Sequence, residues 1–259
     1  MLETLILAIF QGLTEFLPVS SSGHLVLLQY LFGHAEGDLF LDVVLHGGTL
    51  GSVVVVYRRE IFRLLRFDRP ALMYLLALFV GTLPAVVVGL LFKDQVEEAF
   101  AAPLVAAVGF FLTGLLLLST RKVSSTDDLP EPWEPRPIAL KRAILVGCAQ
   151  AMAICPGISR SGSTIAASLW LGLPRAEAAR FSFLLSVPAI GGALVLMLLD
   201  GDIPTRVSSL GLALSALAAF AVGLVAIKLT ALAVVRSHFW KFAFYVLPLS
   251  AVTLFQVLR

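Results

Sequence analysis

Two polar interruptions, each containing Gly and Pro, break an otherwise apolar chain and hold most of its reactive side chains. The first runs Gln11-Gly12-Leu13-Thr14-Glu15-Phe16-Leu17-Pro18-Val19-Ser20-Ser21-Ser22-Gly23-His24. Gln11 and Glu15 are four residues apart and share one helical face. A carboxylate and an amide oxygen placed so could hold one Mg2+ or Ca2+, with substrate phosphates and water completing the shell. Ser20, Ser21 and Ser22 stand where a following half-helix needs caps, and a serine hydroxyl there could be a nucleophile. His24, in the first turn, is suited to work as base, acid or nucleophile.

The second interruption, Pro156-Gly157-Ile158-Ser159-Arg160-Ser161-Gly162-Ser163-Thr164, precedes an apolar half-helix expected from about Ile165. Hydroxyls and free amides at a helix N-terminus form an anion site whose usual tenant is phosphate. Arg160 adds a bidentate fork for phosphate oxygens. Each residue also has a plainer reading. A serine run can be only a cap, a histidine only a core residue, and Arg160 only a partner of Glu15 or a carbonyl. An arginine at membrane depth costs at least roughly 2.5–3.5 kcal/mol on insertion scales, however, which argues for employment. Glu, His, Ser and Arg converging from two interruptions match the parts of a phosphoryl-transfer site.

The elements that must position these residues follow from composition. Of 259 residues, 59% are hydrophobic and 14% charged, and mean hydropathy is +0.95. A soluble domain has about 25% charged residues, needed to face water. The chain therefore reads as an all-α integral membrane protein. A net charge of +2 points to no nucleic-acid partner. No signal peptide is expected, because Met1-Leu2-Glu3-Thr4 lacks a basic region. Cys148 and Cys155 read as inert packing residues on one helical face.

Six stretches approach the roughly 20 apolar residues of a spanning helix: 39–57, 71–92, 102–119, 181–199, 209–235 and 238–258. The regions 1–33 and 138–173 do not qualify, and each reads as two half-helices around its interruption. Irregular backbone at membrane depth survives only inside protein or along a wet cavity, so both are expected to be re-entrant hairpins. Fourteen of the 19 Lys and Arg lie in four connections, around 58–69, 121–142, 175–180 and 236–241. Their bias makes those connections cytoplasmic and puts both termini outside. The first hairpin then enters from the outer face and the second from the cytoplasm. A hairpin plus three spans (1–119), a linker (120–137) and an inverted second copy (138–259) form one membrane domain. This is a transporter-like architecture. His46 and Asp42, four apart, could assist the site, although a helix–helix hydrogen bond explains them as well. Small-residue faces on several spans are compatible with a homodimer without specifying one.

On both interruptions, and on Phe181-Ser182-Phe183-Leu184-Leu185-Ser186-Val187-Pro188, the chain resembles the undecaprenyl-diphosphate phosphatases, or bacitracin-resistance proteins, over nearly its whole length. The resemblance implies hydrolysis of undecaprenyl diphosphate to the monophosphate carrier lipid at the outer face of the inner membrane, with a divalent cation. Functional serines at Ser20, Ser21 and Ser159, an essential Arg160 and a catalytic His24 are implied with it. The family's acidic motif has Glu or Gln at its first position and Glu four later; Gln11 and Glu15 match it with one charge fewer than some members carry. The full expectation is catalysis by Glu15, Ser21, His24 and Arg160, and metal held by Glu15 and Gln11. Phosphate is expected on Ser20, Ser22, Ser159, Arg160, Ser161, Gly162, Ser163 and Thr164. Serine, histidine and water all remain candidate nucleophiles, and an inverted repeat would also suit a transporter of polyprenyl phosphate.

Overall fold

A computed structural model describes residues 2–31, 38–123, 133–199, 205 and 207–259. The centre of the linker and Arg206, which the sequence reading puts on the outer side, lie outside the described residues. Every element among those described is helical: α1 (Leu2–Thr14), α2 (Ser21–Leu31), α3 (Leu39–Val56), α4 (Arg58–Leu64), α5 (Arg69–Leu91), α6 (Lys93–Phe100), α7 (Pro103–Ser119), α8 (Leu140–Met152), α9 (Arg160–Trp170), α10 (Arg175–Leu199), α11 (Ser209–Val235) and α12 (Ala243–Val257).

Local sequence sets the helix starts. Asp38 caps α3 by accepting from the Leu41 amide at 2.9 Å. Asp68 caps α5 through the Ala71 amide at 3.0 Å, with Pro70 in the first turn where its missing N–H costs nothing. Ser208 does the same for α11 through the Gly211 amide at 3.2 Å. Pro84 and Pro188 sit inside α5 and α10 without ending either helix.

Among the described residues five helices are long and apolar enough to cross a bilayer, or six if α3 counts as one span with α4, which bends 75° from it. The straight span expected over 39–57 is therefore shorter, and its end folds aside. The polarity of the molecule is reversed relative to a soluble protein. Phe79, Leu90, Phe111 and Phe244 are exposed, whereas Gln11, Glu15, His24, Ser159 and Thr164 are buried. That distribution suits an exterior of lipid and an interior that must satisfy its own polar groups, and the chain is a multi-pass membrane protein.

The arms of each hairpin lie on spans from the other part of the chain. α1 packs on α11 and α8 on α5, while α3 contacts α10 and α7 contacts α12. Small residues permit the closest approaches: Gly48 faces the Ala216 backbone of α11, and Gly147 of α8 faces the Gly81 carbonyl of α5. Gly192 of α10, by contrast, has open space beside it. α8 stops at Met152, so Cys148 and Cys155 do not share a helix; Cys148 is exposed, not packed, and both thiols are free.

Candidate active site

The two interruptions meet. A methyl group built on Gly23 would fall 2.8 Å from Cα of Gly157, and one on Gly162 would touch Pro18 at 3.5 Å. Ser161 donates its hydroxyl to the Leu17 carbonyl at 3.1 Å. Gly157 adopts φ +87°, and any side chain there would strike Ala106 and Phe110 of α7, so only glycine lets this turn lie on α7.

Two threonines hold the turns in place from opposite halves of the chain. Thr230 of α11 donates to the Phe16 carbonyl at 3.1 Å. Thr113 of α7 donates to the Gly157 carbonyl at 2.8 Å and accepts from the Ser159 amide at 3.0 Å. Backbone groups freed by the broken helices are thereby satisfied without water. Sequence reasoning missed both threonines. Their signal was only a lone hydroxyl in an apolar span, a pattern shared by residues that merely bond their own helix.

Glu15 is the hub. One carboxylate oxygen accepts from Arg160 Nη2 at 3.0 Å. The other accepts from Ser21 Oγ at 2.6 Å and Gln11 Nε2 at 3.0 Å. His46 Nε2 lies 3.8 Å from that second oxygen while its Nδ1 is 2.7 Å from the Asp42 carbonyl oxygen, so His46 stands beside the site. Arg160 Nη1 also reaches the Ser182 carbonyl at 3.5 Å.

α9 begins at Arg160, five residues before the expected start near Ile165. The cause is Ser159, whose hydroxyl accepts from the Gly162 amide at 3.0 Å and caps the helix there. Arg160 and Ser161 consequently occupy the open N-terminal turn. Ser163 and Thr164 are buried within α9, and Thr164 Oγ bonds Ser182 Oγ at 2.6 Å. Ser20 takes a left-handed backbone, φ 69°. Its hydroxyl accepts from the Gly23 amide and pairs with Ser22 Oγ, both at 3.3 Å. His24 does not join the Glu15 cluster; its nitrogens bond the Ser20 carbonyl and the hydroxyl of Tyr245 on α12. Nothing in the sequence singled out Tyr245 among the aromatics of a membrane span.

A family model described as bacitracin resistance protein BacA matches residues 4–252. The chain belongs to the BacA family. A Rhodopirellula baltica protein named undecaprenyl-diphosphatase is 44% identical over 235 residues, covering 88% of this chain and 87% of that one. Korarchaeum cryptofilum and Desulfosudis oleivorans proteins of the same name are 39% and 42% identical, covering 94% and 100% of the chain and 94% and 99% of their own lengths.

A BacA-family site built on one carboxylate asks which cation it could hold. Among the described residues no three His, Cys, Asp or Glu gather as a metal cage. The buried Gln11 Oε1, however, has no hydrogen-bond partner, and it belongs to the side chain that bonds Glu15. One carboxylate and one spare amide oxygen fit a hard cation of the Mg2+ type, which keeps several positions for phosphate and water.

Proposed function

We propose that this BacA-family chain hydrolyses undecaprenyl diphosphate to undecaprenyl phosphate and inorganic phosphate, recycling the carrier lipid of cell-wall synthesis. The carrying observation is the Glu15 carboxylate, with a guanidinium on one oxygen and a serine hydroxyl on the other. An acceptor for a nucleophile's proton and a fork for phosphate thus share one buried point, and the names of the relatives support the substrate.

The polyprenyl tail stays among lipids while the diphosphate reaches the two turns. Arg160, whose Nε is buried without a partner, holds oxygens of the terminal phosphoryl group, aided by the open first turn of α9. Ser21 Oγ attacks the terminal phosphorus in line and its proton passes to Glu15. The bond from that phosphorus to the bridging oxygen breaks, and Glu15 returns the proton to the departing lipid phosphate. Water then attacks the phosphoserine, giving its proton to Glu15, and inorganic phosphate leaves as Ser21 recovers its hydrogen. Glu15 and Gln11 would hold a divalent cation, which when bound neutralises diphosphate charge. Ser20, Ser22 and Ser159 shape the two turns, and His24 acts on the first through its backbone.

The Lys and Arg distribution supports both termini outside, and the resemblance to the family supports a cytoplasmic membrane location with a site open to the outer face. The crossed packing of α1 on α11 and α8 on α5 supports two inverted copies, 1–119 and 138–259, joined by the linker.

The test is phosphate release by the purified chain in detergent from undecaprenyl diphosphate, with and without Mg2+ or Ca2+. Release that stops with chelator, and in Glu15→Ala and Arg160→Ala, is expected. No release from the wild type, or undiminished release from both variants, would overturn the reading. Mass mapping of a quenched reaction should find phosphate on Ser21; an unlabelled enzyme would replace serine attack by direct water attack.

A further inference from the structure

The ring of His24 has no spare valence. Its Nδ1 lies 2.7 Å from the Ser20 carbonyl oxygen and its Nε2 lies 2.8 Å from the Tyr245 hydroxyl. A carbonyl oxygen can only accept, so Nδ1 carries the proton; in the neutral ring Nε2 then accepts from Tyr245. The two rings lie parallel at 3°, with centroids 5.8 Å apart, and Phe110 closes on the imidazole edge-on at 5.2 Å. A nitrogen so engaged offers no lone pair to phosphorus.

What the imidazole does hold is backbone. The Ser20 carbonyl receives the His24 ring as well as the His24 amide, the latter at 3.3 Å. Ser20 is left-handed, a conformation that a β-carbon disfavours and that persists only where surroundings enforce it. The next residue is Ser21, whose hydroxyl this turn delivers to Glu15 at 2.6 Å.

We infer that Tyr245 is a positioning residue: its hydroxyl holds the Nε2 of the tautomer that the Ser20 carbonyl selects, and His24 locks the left-handed turn that aims Ser21. This inference rests on the reading of Ser21 as the attacking group. Tyr245 is 48% exposed, so Tyr245→Phe keeps the stacked ring and removes only the proton donor.

The experiment uses the full chain in detergent, labelled with 15N-histidine, with His24 assigned by the signal lost in His24→Asn. In the wild type the His24 ring should show a protonated Nδ1 and an accepting Nε2. In Tyr245→Phe the Nε2 signal should move, and kcat should fall about tenfold with KM within about twofold, as expected when aim is lost and binding kept. Wild-type kcat in Tyr245→Phe would overturn the inference, as would a wild-type His24 protonated on Nε2, a result that needs no folded variant. Absence of phosphate release from the wild type would overturn the phosphatase reading alone, because the 15N spectrum still decides the relay.

Discussion

Two buried carboxylates in this protein each meet an arginine, and only one of the pairs builds a candidate active site. Glu177 of α10 accepts from Tyr74 Oη at 2.7 Å, Trp133 Nε1 at 3.0 Å and Arg180 Nη1 at 2.9 Å. The Arg180 guanidinium lies over the Trp133 ring at 5.1 Å and faces Glu60 at 3.6 Å. Its partners are rigid aromatics, and its arginine is covered on both sides. Glu15 likewise takes three donors, but they are a hydroxyl, an amide and a guanidinium; each arginine keeps a buried Nε without a hydrogen-bond partner, and beside Glu15 the amide oxygen Oε1 of Gln11 lacks one as well. Burial and ion pairing are common to both clusters, so neither marks a site. The Ser21 hydroxyl and the unpartnered acceptor oxygen of Gln11 do, because a buried acceptor without a partner is rare and needs a reason. Glu177 is a brace that ties the linker, through Trp133, to α5 and α10.

The contrast can be broken by mutation. Arg160→Ala and Glu15→Ala should each lower the rate of phosphate release by about 10^3-fold, the scale of losing a charge-stabilising group, while the detergent-solubilised protein still folds. Glu177→Ala should do the reverse, costing about 3 kcal/mol, the low end for a broken buried pair, because Arg180 keeps only its 3.6 Å approach to Glu60. That loss would be read as a fall in thermal midpoint with kcat of the folded fraction retained. A large kcat loss in Glu177→Ala at unchanged stability would erase the distinction between site and brace. Gln11→Glu should sharpen it, since a second carboxylate beside Glu15 should lower the half-saturating Mg2+ roughly tenfold.

The smallest effect belongs to Asp68, at the start of α5 near the brace. The Ala71 amide, followed by the Arg63 guanidinium, holds its carboxyl below the ordinary aspartate range. A depressed carboxyl contributes stability above its unfolded pKa and loses it as pH falls through the folded value. The small stability advantage of wild type over Asp68→Asn should therefore be present at neutral pH and fade in acid. An advantage that instead grew in acid would reverse the assigned sign.

Much of this was legible in the sequence, and the reasons are local. That the helices break around Pro18 and around Pro156 is written in turn chemistry, and the placement of Glu15 near Arg160 followed from two interruptions forced to share a membrane interior. The start of α9 was misjudged because a hydroxyl-rich turn looked like loop, when Ser159 makes it the first turn of the helix. The 75° bend after α3 was invisible, since an apolar run does not say where it turns aside. Thr113, Thr230 and Tyr245 were unreadable for another reason. Their importance lies in which distant carbonyl or ring they meet, and separations such as 214 residues between Thr230 and Phe16 carry no pattern along the chain.

The two threonine clasps bear on how the protein is made. Phe16 emerges early in synthesis, and the hydroxyl that holds its carbonyl arrives only with α11; His24 waits longer still, for the ring on α12. A nascent chain in the membrane thus carries its carboxylate, serines and arginine before Thr230 and Tyr245 arrive to hold the first turn. Assembly of the last two helices completes those contacts, so a chain clipped before α11 lacks both.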